Sequence, residues 1–231
     1  MTAELELHLS LYSALAACFA DPGAASETAA VLRELEVGLS AAPARLAERW
    51  PADLARDLER AIEVLPSAGL TVPEEFTYLF HRQAACSPYE SSYTSAGIEQ
   101  GLADIAGFYR AFGVQVSPQA HERVDHIGTE LEFMAVLCAK QAHATANAQP
   151  EQARICREAR LAFLRDHLGL WAAPFSQRLQ TVTRLPLFVA LADILAALIE
   201  AEAQHLGVVL HRETGSLVSA ALLEPGDMTC E

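Results

Sequence analysis

Apolar residues recur at spacings of three and four along nearly the whole chain, in runs cut short by Pro and Gly, and that pattern restricts the fold to packed helices. Leu5, Leu9, Tyr12, Leu15 and Phe19 form one such stripe, and Ile98, Leu102, Ile105, Phe108 and Phe112 form another. The composition agrees with the periodicity. Ala (43) and Leu (32), both strong helix formers, dominate the 231 residues. Val and Ile are sparse, and no Asn-Gly or Asp-Gly pair separates alternating runs as a hairpin would require. The expected class is all-α.

Local signals divide the pattern into elements. Asp21-Pro22-Gly23 ends the first helix, and Ser26 can cap a second that carries Val31, Leu32, Leu35 and Leu39 inward. Pro43 and Pro51 bracket short helical pieces. Leu54, Leu58, Ile62 and Leu65 continue the period until Pro66-Ser67-Ala68-Gly69 breaks it. Thr71-x-x-Glu74 reads as a capping box opening a short helix to about Arg82. Gln83 to Thr94 has no helical period and reads as an ordered loop. Gly113 has the residue type of a helix C-cap, and Ser117-Pro118 has the N-cap and N1 pattern for a long helix to about Ala146. That helix shows Val124, Ile127, Leu131, Met134 and Leu137 on its apolar face. Helices follow at about 151–168, 171–182 and 186–206, the last apolar around its circumference and therefore central. No internal repeat or long polar linker appears, so the expectation is one bundle of about nine to eleven helices over 1–206. The tail, 207–231, is expected to be loosely packed or partly disordered.

Charge and cysteines narrow the function. Thirty acidic residues face 16 basic ones, for a net charge of −14, and Lys140 is the single lysine. A nucleic-acid binder draws most of its affinity from Lys and Arg, so DNA and RNA are excluded as partners, whereas a basic peptide is attracted. Cys18, Cys86, Cys138, Cys156 and Cys230 are widely spaced, odd in number and form no C-x-x-C pair, which suits a reducing, cytoplasmic setting. Leu15-Ala16-Ala17-Cys18 has the form of a lipoprotein cleavage box, but the residues before it hold Glu4 and Glu6 and no basic residue, so no export signal is expected. The longest apolar stretch, Pro186 to Ile199, is interrupted by Asp193 and is too short to cross a bilayer.

Two constellations carry polar chemistry. Glu122, His126 and Glu130, spaced by four on the long helix, would share one face, with Asp125 on the flank. They suit a solvated helix face or, in a helical metalloprotein or small enzyme, part of a metal site. A di-iron bundle wants Glu-x-x-His on two helices, however, and only Glu202-Ala203-Gln204-His205 has that spacing. No metal or cofactor is therefore expected. No G-x-S-x-G elbow exists, Cys86 lacks a nucleophile signature, and Gly97, Gly101 and Gly107 fall at helical spacing rather than in a phosphate loop. The chain reads as a non-enzyme. The second constellation is the loop Cys86-Ser87-Pro88-Tyr89-Glu90-Ser91-Ser92-Tyr93, preceded by Glu75-Phe76-x-x-Leu79-Phe80.

In this order, and in an all-α chain of this length, these segments resemble the TorD/DmsD/NarJ-like family of molybdoenzyme maturation chaperones. The match is carried by the Glu-Phe-x-x-Leu-Phe helix, the Ser-Pro-Tyr-Glu-Ser-x-Tyr loop and Tyr109-Arg110-Ala111-Phe112-Gly113. Asp125-His126-Ile127 with Glu130-Leu131-x-Phe133-Met134 continues it, and Phe163-Leu164-x-x-His167-Leu168-x-x-Trp171 completes it. It covers roughly 75–210. The resemblance implies a single helical domain that binds the N-terminal leader, often a twin-arginine signal, of a molybdopterin oxidoreductase's catalytic subunit in the cytoplasm. There it holds the subunit until cofactor insertion and assembly, as a monomer or a domain-swapped dimer. The family's Asp-His pair falls on Asp125 and His126, and its aromatic, Pro-containing loop on Pro88, Tyr89, Ser91 and Tyr93. Some members carry Trp where this chain has Tyr89 and Tyr93.

A leader of that kind has a basic start and an apolar run, so its receptor needs an apolar groove with carboxylates at one end. The expected groove is Phe76, Leu79, Phe80, Tyr89 and Tyr93. The expected acceptors for arginine are Asp125, Glu130 and Glu90, with His126 orienting Asp125 or changing protonation.

Overall fold

A computed structural model of the protein describes residues 2–20, 25–40, 54–64, 71–81, 83–95, 97–117 and 122–210. The predicted breaks at Asp21-Pro22-Gly23, Pro43, Pro51 and Pro66–Gly69, the predicted cap position Pro118 and the tail from residue 211 lie outside them.

The described residues form α1 (Thr2–Cys18), α2 (Ala25–Ser40), α3 (Leu54–Val64), α4 (Val72–Phe80), α5 (Ile98–Ala111) and α6 (Ile127–Ala146). They continue with α7 (Pro150–Phe163), α8 (Gly169–Val182) and α9 (Pro186–Leu206), and a single 3-10 turn covers Glu90–Ser92. Among the described residues there is no strand beyond one isolated bridge, so the class is all-α as expected. A π segment, Leu164–Leu168, joins α7 to α8 without a break. Counting 150–182 as one rod leaves eight helices among the described residues, slightly fewer than the nine to eleven expected. The separate helices read at 151–168 and 171–182 are one.

The elements form for the reasons their sequences give. Thr71 accepts from the Glu74 backbone N–H while the Glu74 carboxylate accepts from the Thr71 N–H at 2.9 Å, so the capping box closes as predicted and opens α4. The end of α4 comes at Phe80, two residues before the predicted one. Gly113 adopts φ +71°, the left-handed conformation that favours glycine beyond a helix end. Helix α9 starts at Pro186 and is closed by Gly207 at φ +76°, which lets the Val208 N–H reach the Ala203 carbonyl at 2.9 Å.

Packing follows the apolar stripes. Helix α6 lies between α1 and α7, and α9 packs on α8 and α3, while α2 covers α1. Leu187, Phe188, Leu191, Ile194, Leu195, Leu198 and Ile199 of α9 are all buried, each side chain contributing on the order of 1.5–3 kcal/mol. Val208 and Leu210, at the start of the tail, also pack against the core.

Gly169 has a specific task in the continuous rod. The widened π turn brings the Leu164 carbonyl oxygen so close that a Cβ at position 169 would sit 2.3 Å from it, and 2.6 Å from Leu210 Cδ2. A glycine in a helix interior normally gains about 1 kcal/mol on replacement by alanine. Here Gly169→Ala is expected instead to lower the unfolding free energy by roughly 1–3 kcal/mol, because backbone must move. Urea denaturation of the variant checks the sign.

Candidate functional site

The long helix begins later than its sequence suggests. Ser117 is not helical, Glu122 to Asp125 form coil and turn, and α6 starts at Ile127 with His126 as its N-cap. The reason is competition for backbone hydrogen bonds. Tyr89 and His126 form an antiparallel bridge in which Ile127 N–H donates to the Pro88 carbonyl at 2.9 Å and Glu90 N–H donates to the Asp125 carbonyl at 3.0 Å. Residues paired across a bridge cannot also be in a helix. Glu122, His126 and Glu130 therefore do not share one helix face: Glu130 lies in the first turn of α6, His126 caps it, and Glu122 precedes it.

The bridge brings the mid-chain loop against the Asp-His pair. The rings of Tyr89 and His126 meet edge to face with centroids 5.5 Å apart, and the Tyr89 hydroxyl donates to Glu122 Oε2 at 3.2 Å. His126 Nδ1 accepts from the Gly128 N–H at 3.1 Å, a histidine in the role usually filled by Ser, Thr or Asp. That bond requires an unprotonated Nδ1 and places the ring proton on Nε2, which faces Glu122 at 3.7 Å. Burial lowers the His126 pKa, outweighing the carboxylates of Glu122 and Asp125, which act the other way. A neutral ring agrees with the cap.

Asp125 is 1% exposed and already engaged. Its Oδ2 accepts from the Ser91 N–H at 3.2 Å and from Arg123 Nη2 at 2.8 Å, and the same nitrogen donates to Ser91 Oγ at 2.9 Å. Arg123 also lies over the Tyr89 ring, 4.7 Å from its centroid. Glu90 and Glu130 are buried as well, so the three carboxylates expected to receive arginines are all internal.

Glu130 and Glu90 form an acid pair under the loop. Trp171 Nε1 donates to Glu130 Oε2 at 3.1 Å, and His167 Nδ1 faces Glu90 Oε1 at 3.3 Å while its Nε2 faces Asp104 at 3.3 Å. Burial pushes the Glu130 carboxyl well above the usual range, and the neighbouring Glu90 adds to the shift. Glu130 Oε1 and Glu90 Oε2 are buried without a hydrogen-bond partner. A proton kept on Glu130 removes one of two neighbouring buried charges and gives the acid pair a donor.

The remaining predicted residues divide. Tyr93 stacks on Trp171 with centroids 5.5 Å apart, and its hydroxyl donates to the Ser87 carbonyl at 2.9 Å. Phe76, Leu79 and Phe80 are buried in the core, where Phe80 meets Phe19, Phe175 and Phe188. They support the loop from below, through Phe175 and Tyr93, rather than lining an open groove.

An apolar cleft of about 530 Å³ opens beside the bridge instead. Tyr109, Val114, Val116, Phe133 and Val136 give it an apolar lining, the end of α1 closes one side, and Glu122, His126 and Glu132 are among its polar groups, with Gln115, Ser117 and Thr129. Partial burial raises the Glu132 pKa. Sequence reasoning missed this cleft. Its apolar residues come from the end of α1, the last turn of α5, the segment after Gly113 and positions on α6 outside the predicted stripe, so no single period marks them. Among the described residues no group of three or more His, Cys, Asp or Glu side chains is placed to hold a metal. Glu202 and His205 are taken up by other partners, Arg160 and His8 for the first and Glu4 for the second.

Comparison with known proteins identifies the family. The model of the nitrate reductase delta subunit family matches residues 46–177. The perchlorate reductase assembly chaperone protein of Dechloromonas aromatica is 31% identical over 51% of this chain and 52% of its own length. The selenate reductase assembly chaperone protein of Thauera selenatis is 32% identical over 54% of this chain and 63% of its own. The chaperone protein TorD of Vibrio cholerae strain O395 is 27% identical over 64% and 70%. The chain thus spans between half and two thirds of the length of the first two of these relatives. No solved structure matches it. The family match takes in the loop, the bridge and all of α6 and covers more than half of the sequence, so the chain belongs to the nitrate reductase delta subunit family of TorD-like molybdoenzyme maturation chaperones.

Proposed function

We propose that the protein is a cytoplasmic chaperone for the catalytic subunit of a molybdopterin-dependent oxidoreductase. It binds that subunit's N-terminal leader and holds it until cofactor insertion and assembly, making and breaking no covalent bond. The observation that carries this reading is the cleft. Its apolar lining suits the hydrophobic run of a leader, and Glu122 and Glu132 at its polar side suit the basic start. The net charge of −14 adds long-range attraction for such a peptide and makes association salt-sensitive. His126 lines the cleft, Tyr89, Ser91 and Asp125 join it to the adjoining loop, and Phe76, Leu79, Phe80 and Glu130 beneath that loop, with Pro88, Glu90 and Tyr93 within it, fix its position.

The test is fluorescence anisotropy with a labelled synthetic leader that has a basic start and an apolar run, against its scrambled sequence. Val116→Asp with Val136→Asp is expected to weaken binding by at least about tenfold, since a charge in an apolar seat forfeits the buried contact. Circular dichroism of that variant should match the parent. Equal binding of the scrambled peptide overturns the reading.

A further inference from the structure

We propose that Asp125, Ser91 and Tyr89 form a seat for a guanidinium group of a client polypeptide, and that the chain's own Arg123 fills this seat until the client displaces it. The proposal rests on the leader-binding reading above and adds the internal competitor that a client must displace.

Arg123 makes the contacts by which a protein recognises an arginine side chain. It donates to a carboxylate at 2.8 Å and to a hydroxyl at 2.9 Å, and it stacks on an aromatic ring at 4.7 Å. It makes them imperfectly. One nitrogen, Nη2, serves both Asp125 Oδ2 and Ser91 Oγ, so the paired fork that an arginine and a carboxylate can form is absent. Asp125 Oδ1 is consequently left buried with no partner, although the residue is 1% exposed. An unpartnered carboxylate oxygen at that depth costs energy that a second N–H would recover.

Geometry explains the misfit and the route to its correction. Arg123 stands two residues before Asp125 on the same turn, so its side chain must fold back to reach the carboxylate, and it remains 45% exposed. Arg123 is the exposed member of the pair and can swing out into water, and a client guanidinium that takes its place keeps the buried Asp125 charge paired. The crevice that reaches Asp125 from the side of α5, lined by Thr94, Gly97, Ile98 and Gly101, measures about 10 Å³ and has room for a water rather than a guanidinium, so an incoming group must take the half-exposed place that Arg123 now fills. A guanidinium arriving from another polypeptide is free of the two-residue tether and can address both oxygens.

The consequence runs opposite to that of a structural salt bridge. If the resident guanidinium occupies the seat most of the time, a client's apparent affinity is lowered by the fraction of molecules whose seat is free, and removing Arg123 restores it. Two measurements test this on the full chain, with Arg123→Ala and Arg123→Gln both checked by circular dichroism. In the first, millimolar ethylguanidinium chloride is expected to raise the thermal midpoint of Arg123→Ala relative to equal sodium chloride, and to leave the wild type and Arg123→Ala with Asp125→Asn unmoved. In the second, the labelled leader with an Arg-Arg pair is expected to bind Arg123→Ala about tenfold more tightly than wild type, while its Gln-Gln counterpart gains nothing. Arg154→Ala, which removes the same charge from the exposed face of α7, controls for net charge and should shift affinity by less than about twofold.

No thermal rescue in either Arg123 variant overturns the seat. Rescue without tighter binding of the Arg-Arg leader overturns displacement by a client. Rescue together with no leader binding by any form overturns the leader-binding function and the displacement with it, and leaves only the guanidinium seat.

Discussion

Replacing Arg160 with methionine is expected to lower the unfolding free energy by about 3–5 kcal/mol, the loss that follows when one member of a buried ion pair is removed and the other stays charged. Arg160 and Glu202 are both 0% exposed and hydrogen-bonded to each other. His8 Nδ1 lies 2.8 Å from Glu202 Oε2, and Arg160 Nη1 donates to Gln141 Oε1 at 2.8 Å, so the cluster ties α1, α6, α7 and α9 together. Burial alone would push the Glu202 carboxyl up, but Arg160 and His8 outweigh it and hold the pKa down to about 2. Arg160→Met leaves that carboxylate without its main counter-charge. Arg160→Met combined with Glu202→Leu is expected to recover most of the loss, because an apolar pair of similar volume removes the desolvation problem instead of exposing it. Urea unfolding of the two variants side by side decides. A double variant no more stable than the single one would mean that the cluster stabilises through packing rather than through charge.

This cluster shows where the sequence is informative and where it is not. Helix α9 could be delimited to its ends, from Pro186 to Leu206, since proline at its start, glycine at its end and an all-round apolar pattern are local signals. The capping box of α4 and the left-handed Gly113 were legible for the same reason. Arg160 was not. It sits on a helix rich in charged residues, with Arg154, Arg157 and Glu158 around it, and nothing within a turn distinguishes the arginine that points inward toward residues 8 and 202 from those that face solvent. The start of α6 was lost to a competing long-range contact. Ser117-Pro118 carries a valid helix-start pattern, but the pairing of Tyr89 with His126, 37 positions apart, claims the backbone of 125–127 first. In the candidate site, the loop and the Asp-His pair are found together, as the ordered motifs suggested. The burial of the acids, the interposed Arg123 and the cleft behind His126 depend on tertiary geometry that no spacing encodes.

Glu130→Gln is expected to leave stability unchanged in acid and to stabilise the protein increasingly as pH rises above about 4.5. In the folded protein burial and the adjacent Glu90 hold the Glu130 pKa well above its ordinary value, whereas in the unfolded chain it titrates near 4.5. Below that pH both states carry the proton and the residue contributes no difference. Between the unfolded and folded pKa values the unfolded state has lost its proton and the folded state keeps it, so the wild type loses up to roughly 1.4 kcal/mol per pH unit. Glutamine removes the titration and keeps the hydrogen bonds. Its carbonyl can accept from Trp171 Nε1 as Glu130 Oε2 does at 3.1 Å, and its amide can donate toward Glu90 where the acid proton did. The difference between variant and wild type isolates Glu130 from groups with the opposite sign. Glu202, held down to about 2, contributes stability that is present above 4.5 and lost as pH falls through its folded value. His126, whose pKa is lowered by burial, favours the folded state above the unfolded value and loses that contribution as pH falls. Denaturant unfolding of both proteins from pH 4 to pH 9 measures the difference directly. A constant gap across that range would mean that Glu130 is ionised in the folded protein and that the orphan oxygens Glu130 Oε1 and Glu90 Oε2 are satisfied by something other than a proton.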